Sequence, residues 1–134
     1  MSHTYCLPLY ACAALMAVNS VQASDAVPAK ETLVLQRVAV PGTDRQMGMG
    51  IAWFPPFAVK PRHKATGPEL CYVLEGEVKV RIEGAQDKVY RAGETFQLPA
   101  GVMHVTSAGA AGAKVLATWV WVPGQPFNVA APTH

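Results

Sequence analysis

The hydrophobic pattern of the chain is that of an all-β protein. From Leu33 onward, short apolar or alternating runs are separated by Gly, Pro and Asp turns, and no 3.6-residue period lasts long enough to predict a helix. Eight strands are predicted, at LVLQRVAV, MGMGIAWF, ELCYVL, VKVRI, KVY, TFQL, VMHVTS and KVLATWVWV. Two of the separating segments, EGE after ELCYVL and AGAAGA after VMHVTS, are predicted to be a turn and a loop. The pattern therefore predicts a small sandwich or barrel.

The face pattern of individual strands supports this architecture. In VKVRI, the apolar side chains at 78, 80 and 82 alternate with Lys79 and Arg81, which predicts one face in the core and one in water. KVLATWVWV is apolar on both faces instead. Such a strand is central or covered by a partner subunit, and together with the open edges of a small sheet it predicts a homodimer.

Length and charge restrict the function classes. The 134 residues are 51% hydrophobic and 15% charged, which suits one domain with one core. The formal charge is +2, and the Lys and Arg residues are scattered. A nucleic-acid partner is therefore excluded.

The first 24 residues contain no charged side chain and include the apolar run YCLPLYACAALMAV. This run is shorter than the ~20 residues that span a bilayer, and it leads to VQA, which suits a cleavage site after Ala23. We predict a signal peptide at 1–23, a flexible lead-in at 24–31, a barrel at 32–127 and a C-terminal tail at 128–134. The mature protein is expected to be periplasmic or secreted, without membrane contact. An uncleaved anchor is the alternative.

Two segments carry candidate chemistry, PRHKATGPELCYVLEG at 61–76 and GETFQLPAGVMHVTSA at 93–108. Their spacing resembles the two motifs of the cupin superfamily, and the resemblance covers about 32–127. The first motif is matched at His63, Glu69 and Gly76, and the second is matched at Gly93, Pro99, Gly101 and His104. The resemblance implies a double-stranded β-helix, or jelly-roll barrel, whose interior commonly holds a metal.

Three positions depart from the motifs. Phe57 replaces the first glycine, Ala65 the second histidine and Ala108 the final asparagine. Only Ala65 removes a metal ligand. Its strand neighbours Lys64 and Thr66 are expected to face the other way, so the missing histidine is not replaced locally.

The resemblance implies that His63, Glu69 and His104 bind a divalent transition metal: Fe, Mn, Ni, Cu or Zn. His63 and Glu69 are an even number of residues apart, so both can face inward if their connection stays extended or bends symmetrically. The resemblance implies that His104 comes from a neighbouring strand on the opposite wall. Two imidazoles and one carboxylate are the facial triad that holds divalent iron and leaves coordination positions open for substrate and oxygen. Ala65, in place of a further histidine, then leaves the coordination sphere more open. The alternative is a barrel that has lost its metal and keeps both histidines as interior polar groups.

Weaker candidates are expected to line a pocket for a small organic molecule: Cys71, Phe57, Phe96 and Ala65. Core packing is the competing interpretation for each of them. Cys71 is also the only cysteine after position 23, so the mature chain has no internal disulfide.

No catalytic residue is identified from the sequence. The leading hypothesis is an exported metal-binding cupin that acts as a dioxygenase-like oxidoreductase or an isomerase. The alternatives are a non-catalytic small-molecule-binding cupin with an empty barrel and a purely structural dimer.

Overall fold

The structure is a computed structural model that describes residues 27–133. The predicted signal peptide at 1–23 lies outside the described residues. Within them the chain forms eight β-strands and no helix, which confirms the all-β jelly-roll prediction. The strands are β1 (Leu33–Ala39), β2 (Gln46–Phe54), β3 (Val59–Ala65), β4 (Glu69–Ile82), β5 (Lys88–Arg91), β6 (Thr95–Leu98), β7 (His104–Trp121) and β8 (Asn128–Ala130). No helix in this part of the chain is long and apolar enough to cross a membrane.

The sheet is organised around β7. The path β1-β2-β7-β3-β8 forms one side, and β4 pairs with β5, β6 and β7 on the other. All these named pairings are antiparallel. The core lies between the two sides and is centred on Val73 and Val78, whose side chains are fully buried.

The predicted breaks at EGE and AGAAGA are wrong, because both segments lie within long strands. β4 and β7 pair along both halves of their length, and the ladder shifts register on each side of Glu75 and Gly76. Gly76 has a φ of 72°, and a Cβ there would lie 2.0 Å from the carbonyl oxygen of Gly112. The glycine therefore permits a close crossing of two continuous strands rather than a chain reversal.

Two observed strands are absent from the predicted set. β3 follows a turn at 55–58, and β8 forms from residues 128–130 of the predicted C-terminal tail and pairs with β3. The described part of the predicted lead-in also lies against the sheet. The amide of Ala29 donates to the carbonyl of Val59, and the amide of Lys30 donates to the carbonyl of Trp53.

Candidate functional site

A β-bulge in β3 determines which side chains enter the barrel. Lys60 is opposite Thr106 of β7, the register then shifts, and His63 is opposite His104. Thr106 and His104 face the interior, where they are buried. Because the shift adds one residue to β3, Lys60 and His63 face the interior together although they are three residues apart. Pro61 lies within the bulge, where a residue without an N–H costs no ladder hydrogen bond.

His63 and His104 form a direct cross-strand pair. Their ring centroids are 4.4 Å apart with an interplanar angle of 63°. His104 comes from a neighbouring strand, as predicted, but the prediction of the opposite wall is wrong, because β3 and β7 are paired in the sheet with His63 opposite His104. Both imidazoles project from the same wall of the barrel.

Each ring is oriented by a backbone hydrogen bond. Nδ1 of His63 is 2.6 Å from the carbonyl oxygen of Pro61, and Nδ1 of His104 is 3.2 Å from that of Val102. A carbonyl oxygen can only accept, so each Nδ1 carries the hydrogen, and in the neutral ring each Nε2 has a free lone pair. His104 is 2% exposed, and its Nε2 makes no hydrogen bond within the described chain. A buried nitrogen of this kind requires a partner such as a ligand, a water or a metal.

The electrostatic environment keeps both rings neutral. Burial lowers the pKa of His63, against the bond to Pro61 that favours protonation, and the charge of Lys60 lowers it further. Burial also lowers the pKa of His104, and the bond to Val102 opposes this effect. The charge of Lys60, and that of His63 whenever its ring is protonated, lower the pKa of His104 further. Both Nε2 atoms are therefore available as acceptors or metal ligands at neutral pH.

These histidines line a cavity of about 570 Å³, which we call the barrel cavity. Its volume is within the range of small-molecule sites. The candidate residues in its lining are His63, Glu69, His104, Cys71 and Phe96. Lys60 lines the same cavity, together with apolar side chains such as Leu98 and Trp119.

The Glu69 carboxyl and the Cys71 thiol, which both line the cavity, are held toward their neutral forms. Burial raises the pKa of the Glu69 carboxyl, while the positive charge of Lys60 acts in the opposite direction. Burial also raises the pKa of the Cys71 thiol to about 12, and the neighbouring Glu69 adds to this rise. Cys71 is therefore a neutral thiol at neutral pH rather than a nucleophile.

Phe57 and Ala65 do not line the barrel cavity, contrary to their predicted place there. Phe57 is 64% exposed because it occupies a turn in which the amide of Ala58 donates to the carbonyl of Pro55. Ala65 is 0% exposed and is packed beside the lining, where the amide of Gly101 donates to its carbonyl.

The donor chemistry of the histidine pair fits a divalent transition metal. Two neutral imidazoles with backbone-bound Nδ1 atoms and free Nε2 atoms are the usual ligands of such ions. No group of three or more His, Cys, Asp or Glu side chains within residues 27–133 is placed to hold a metal. The three-ligand set of His63, Glu69 and His104 therefore stays a prediction, with the two imidazoles as its best-formed part.

Lys60 is the residue of the cavity that the sequence pattern missed. Strand alternation counted back from His63 places it on the opposite face, and only the bulge brings it inside. A proline next to a candidate inward-facing residue of an extended segment is the one sequence signal that indicates such a bulge, and Pro61 provides it.

Comparison with known proteins agrees with this fold. The family described as Cupin domain matches residues 51–123, more than half of the chain. The solved Cupin 2 conserved barrel domain protein from Leptotrichia buccalis is 31% identical and has a TM-score of 0.56, with 68% of this chain and 40% of that chain covered. A recombinant oxalate oxidase in complex with glycolate is 29% identical and has a TM-score of 0.55, with 63% and 45% covered.

The DMSP lyase DddQ from Ruegeria pomeroyi DSS-3 is 20% identical with a TM-score of 0.58, and 66% of this chain and 44% of that chain are covered. This likeness is one of fold alone. The match spans less than half of the length of each of these three structures. None of the curated protein sequences matches the chain.

Proposed function

We propose, from the premise that this chain belongs to the cupin domain family, that it binds a divalent transition metal in the barrel cavity and holds a small organic ligand beside it. The observation that carries the proposal is the buried Nε2 of His104, which has no partner in the described chain and lies beside the ring of His63. Glu69 is the proposed third ligand, since its carboxyl lines the same cavity.

The residues of this chain have separate roles in such a site. The carbonyls of Pro61 and Val102 hold the two rings in the tautomer that presents Nε2. A bound metal supplies Lewis-acid activation of an oxygen ligand and, for iron, manganese or copper, redox chemistry. Apolar side chains such as Phe96 and Leu98 exclude water from the ligand.

The oxalate oxidase structure contains glycolate, which supports a small organic acid as the ligand class here. The reaction class that we propose is that of an oxygenase-type oxidoreductase or an isomerase. It rests on the family, because cupin barrels support many chemistries.

A metal-free binding protein is the second candidate function. It is favoured by the lack of a three-donor group within residues 27–133 and by the positive charge of Lys60 near both histidines, which opposes the binding of a cation.

Metal content distinguishes the two candidates. Protein purified without an affinity tag should contain iron, manganese, nickel, copper or zinc in stoichiometric amount, and His104→Ala should lose it. Thr106→Val is a matched control, because it changes a buried polar side chain on the same face of β7 but leaves both imidazoles in place. It should retain the metal. Metal-free protein that also takes up no zinc on titration would favour the second candidate.

We also propose that the protein is exported and acts in the periplasm or outside the cell. The support is the charge-free apolar start followed by VQA at 21–23. Mass spectrometry of the exported protein should give a chain that begins at or near Ser24, whereas a full-length mass in the soluble fraction would contradict export.

A further inference from the structure

Lys60 brings a positive charge into the barrel cavity without a close counter-ion. Its charge acts on the pKa of His63, Glu69, Cys71 and His104, so the ammonium lies within electrostatic reach of all four groups. The ion pairs found in the described chain lie at the surface and none includes Lys60, so no described carboxylate is within 4.0 Å of its Nζ. A half-buried ammonium without such a partner is costly unless a ligand supplies the anion.

The other charged residues of the cavity lining also favour an anionic ligand. Four basic residues line the barrel cavity, Lys30, Arg37, Lys60 and Arg62, against two acidic residues, Glu31 and Glu69. Arg62 pairs with Glu83 at the surface, and Arg37 lies over the Trp121 ring. Lys30 is exposed to solvent, whereas Lys60 is half-buried. Lys60 is therefore the basic group that the structure leaves available to an anion inside the barrel.

The histidine pair adds a second requirement. The neutral Nε2 of His104 accepts hydrogen bonds and cannot donate them, whereas the ammonium of Lys60 only donates. A ligand that satisfies both groups has an anionic acceptor and a hydroxyl donor. The apolar side chains of the lining, including Phe96 and Trp119, favour a small organic molecule over an inorganic anion.

We propose that Lys60 is the anion-binding residue of the barrel cavity and that it holds the carboxylate of a small hydroxycarboxylic acid whose hydroxyl lies at the histidine pair. The proposal deepens the proposed function, since it names the ligand class of the same cavity. In the metal-free protein the hydroxyl donates to Nε2 of His104, and with a metal bound to the imidazoles the hydroxyl oxygen would lie against that metal instead. The bulge at Pro61 is the structural reason that Lys60 reaches this position.

Isothermal titration calorimetry of chelator-treated protein tests the proposal, with glycolate, the smallest hydroxycarboxylic acid, as the probe. Ethylene glycol is its matched control, because it has the hydroxyl but no carboxylate. Wild-type protein should bind glycolate in preference to ethylene glycol. Lys60→Met should weaken glycolate binding by roughly ten- to a hundred-fold, the range for loss of a hydrogen bond to a charged group. Lys60→Arg, which keeps the positive charge, should retain part of the glycolate affinity.

Lys64→Met is the control variant, since Lys64 belongs to the same strand but does not line the cavity. It should bind glycolate as the wild type does. If Lys60→Met does not fold, Lys60→Gln takes its place. The comparison of glycolate with ethylene glycol on wild-type protein tests the requirement for the carboxylate without any variant. Equal glycolate affinity in folded Lys60→Met and wild-type protein, or no glycolate binding by wild-type protein, would overturn the proposal.

A separate zinc titration distinguishes the test of Lys60 from the test of the proposed metal site. Binding of glycolate that depends on Lys60 in a protein that takes up no zinc supports the role of Lys60 and rejects the metal. Zinc binding that depends on His104, with glycolate affinity unchanged in Lys60→Met, rejects the role of Lys60 and leaves the metal site in place.

Discussion

The rings of His63 and His104 meet edge to face across the ladder between β3 and β7, with 4.4 Å between their centroids. Two charged imidazoles at this distance would repel each other, and burial lowers the pKa of both rings. The pair is therefore held as two neutral acceptors. Histidines that only fill the core need no free lone pairs, whereas histidines that bind a ligand or metal do. Zinc binding and the free energy of unfolding of histidine variants distinguish the two roles.

We predict that His104→Leu abolishes zinc binding without destabilising the metal-free protein. The substitution removes a buried Nε2 that has no hydrogen-bond partner in the described chain and replaces it with apolar volume of similar size. It also removes the bond from Nδ1 to the carbonyl of Val102, a half-buried residue. Urea unfolding in chelator should give a free energy of unfolding equal to or above that of the wild type, while a zinc titration shows no binding. A loss of more than about 2 kcal/mol would instead assign His104 a packing role.

The pH dependence of stability should reveal the carboxyl of Glu69, a half-buried residue of the cavity lining. Burial raises its pKa above the ordinary value of 4.5, so its contribution to stability is fully present below pH 4.5 and is lost as the pH rises through the raised pKa. Glu69→Gln should therefore stabilise the metal-free protein at pH 8 relative to the wild type, and the difference should shrink toward pH 4. Glu75→Gln, at an exposed position of β4, is the matched control. A difference of the same size at both pH values would contradict this explanation.

Phe57→Gly should stabilise the protein by about 1 kcal/mol. Phe57 has a φ of 58° and follows Pro56 in the turn at 55–58, a position where type II turns favour glycine. Its side chain is 64% exposed, so its removal sacrifices little burial. Thermal or urea unfolding measures the gain. Phe57→Ala keeps the Cβ that causes the strain, and an equal gain in that variant would show that relief of the backbone is not the cause.

Ala65→His should overpack the barrel rather than complete a metal site. Ala65 is 0% exposed and does not line the barrel cavity, so an imidazole has no open space to enter. The expected cost is about 1–3 kcal/mol in urea unfolding, with no gain in zinc affinity. Tighter zinc binding with unchanged stability would instead mean that the position is an open ligand site.

We propose that the protein forms a homodimer through β1 and β2. β1 is an edge strand, and Val38 and its partner Met47 on β2 are 62% and 45% exposed. Light scattering at micromolar concentration should give the mass of a dimer, and the double variant Val38→Lys, Met47→Lys should give that of a monomer. Leu70→Lys, which changes an exposed apolar residue of β4, should remain dimeric. A monomeric wild type would refute the proposal.

Much of the fold could be predicted because the determining signals are local. The bounds of β1, β2, β5 and β6 agree with the predicted runs to within about a residue, since turn residues delimit each of them. Motif spacing identifies the glycine at 76, but the chain reversal predicted there is wrong. Whether a glycine turns a strand or bends it depends on the partner strand that crosses it, here at Gly112.

The sequence by itself determined the fold class, the family resemblance and the two histidines as the central candidates, because composition, periodicity and motif spacing are properties of the chain alone. The tertiary structure decided which of the surrounding side chains share a cavity with them. It placed Lys60 inside, Phe57 in solvent and His104 on the same wall as His63. The physical reason is that strand alternation predicts a face only while the ladder is unbroken. The extra residue in the bulge at Pro61 reverses the face on which the preceding residues of β3, including Lys60, lie. Only the pairing of β3 with β7 reveals this bulge.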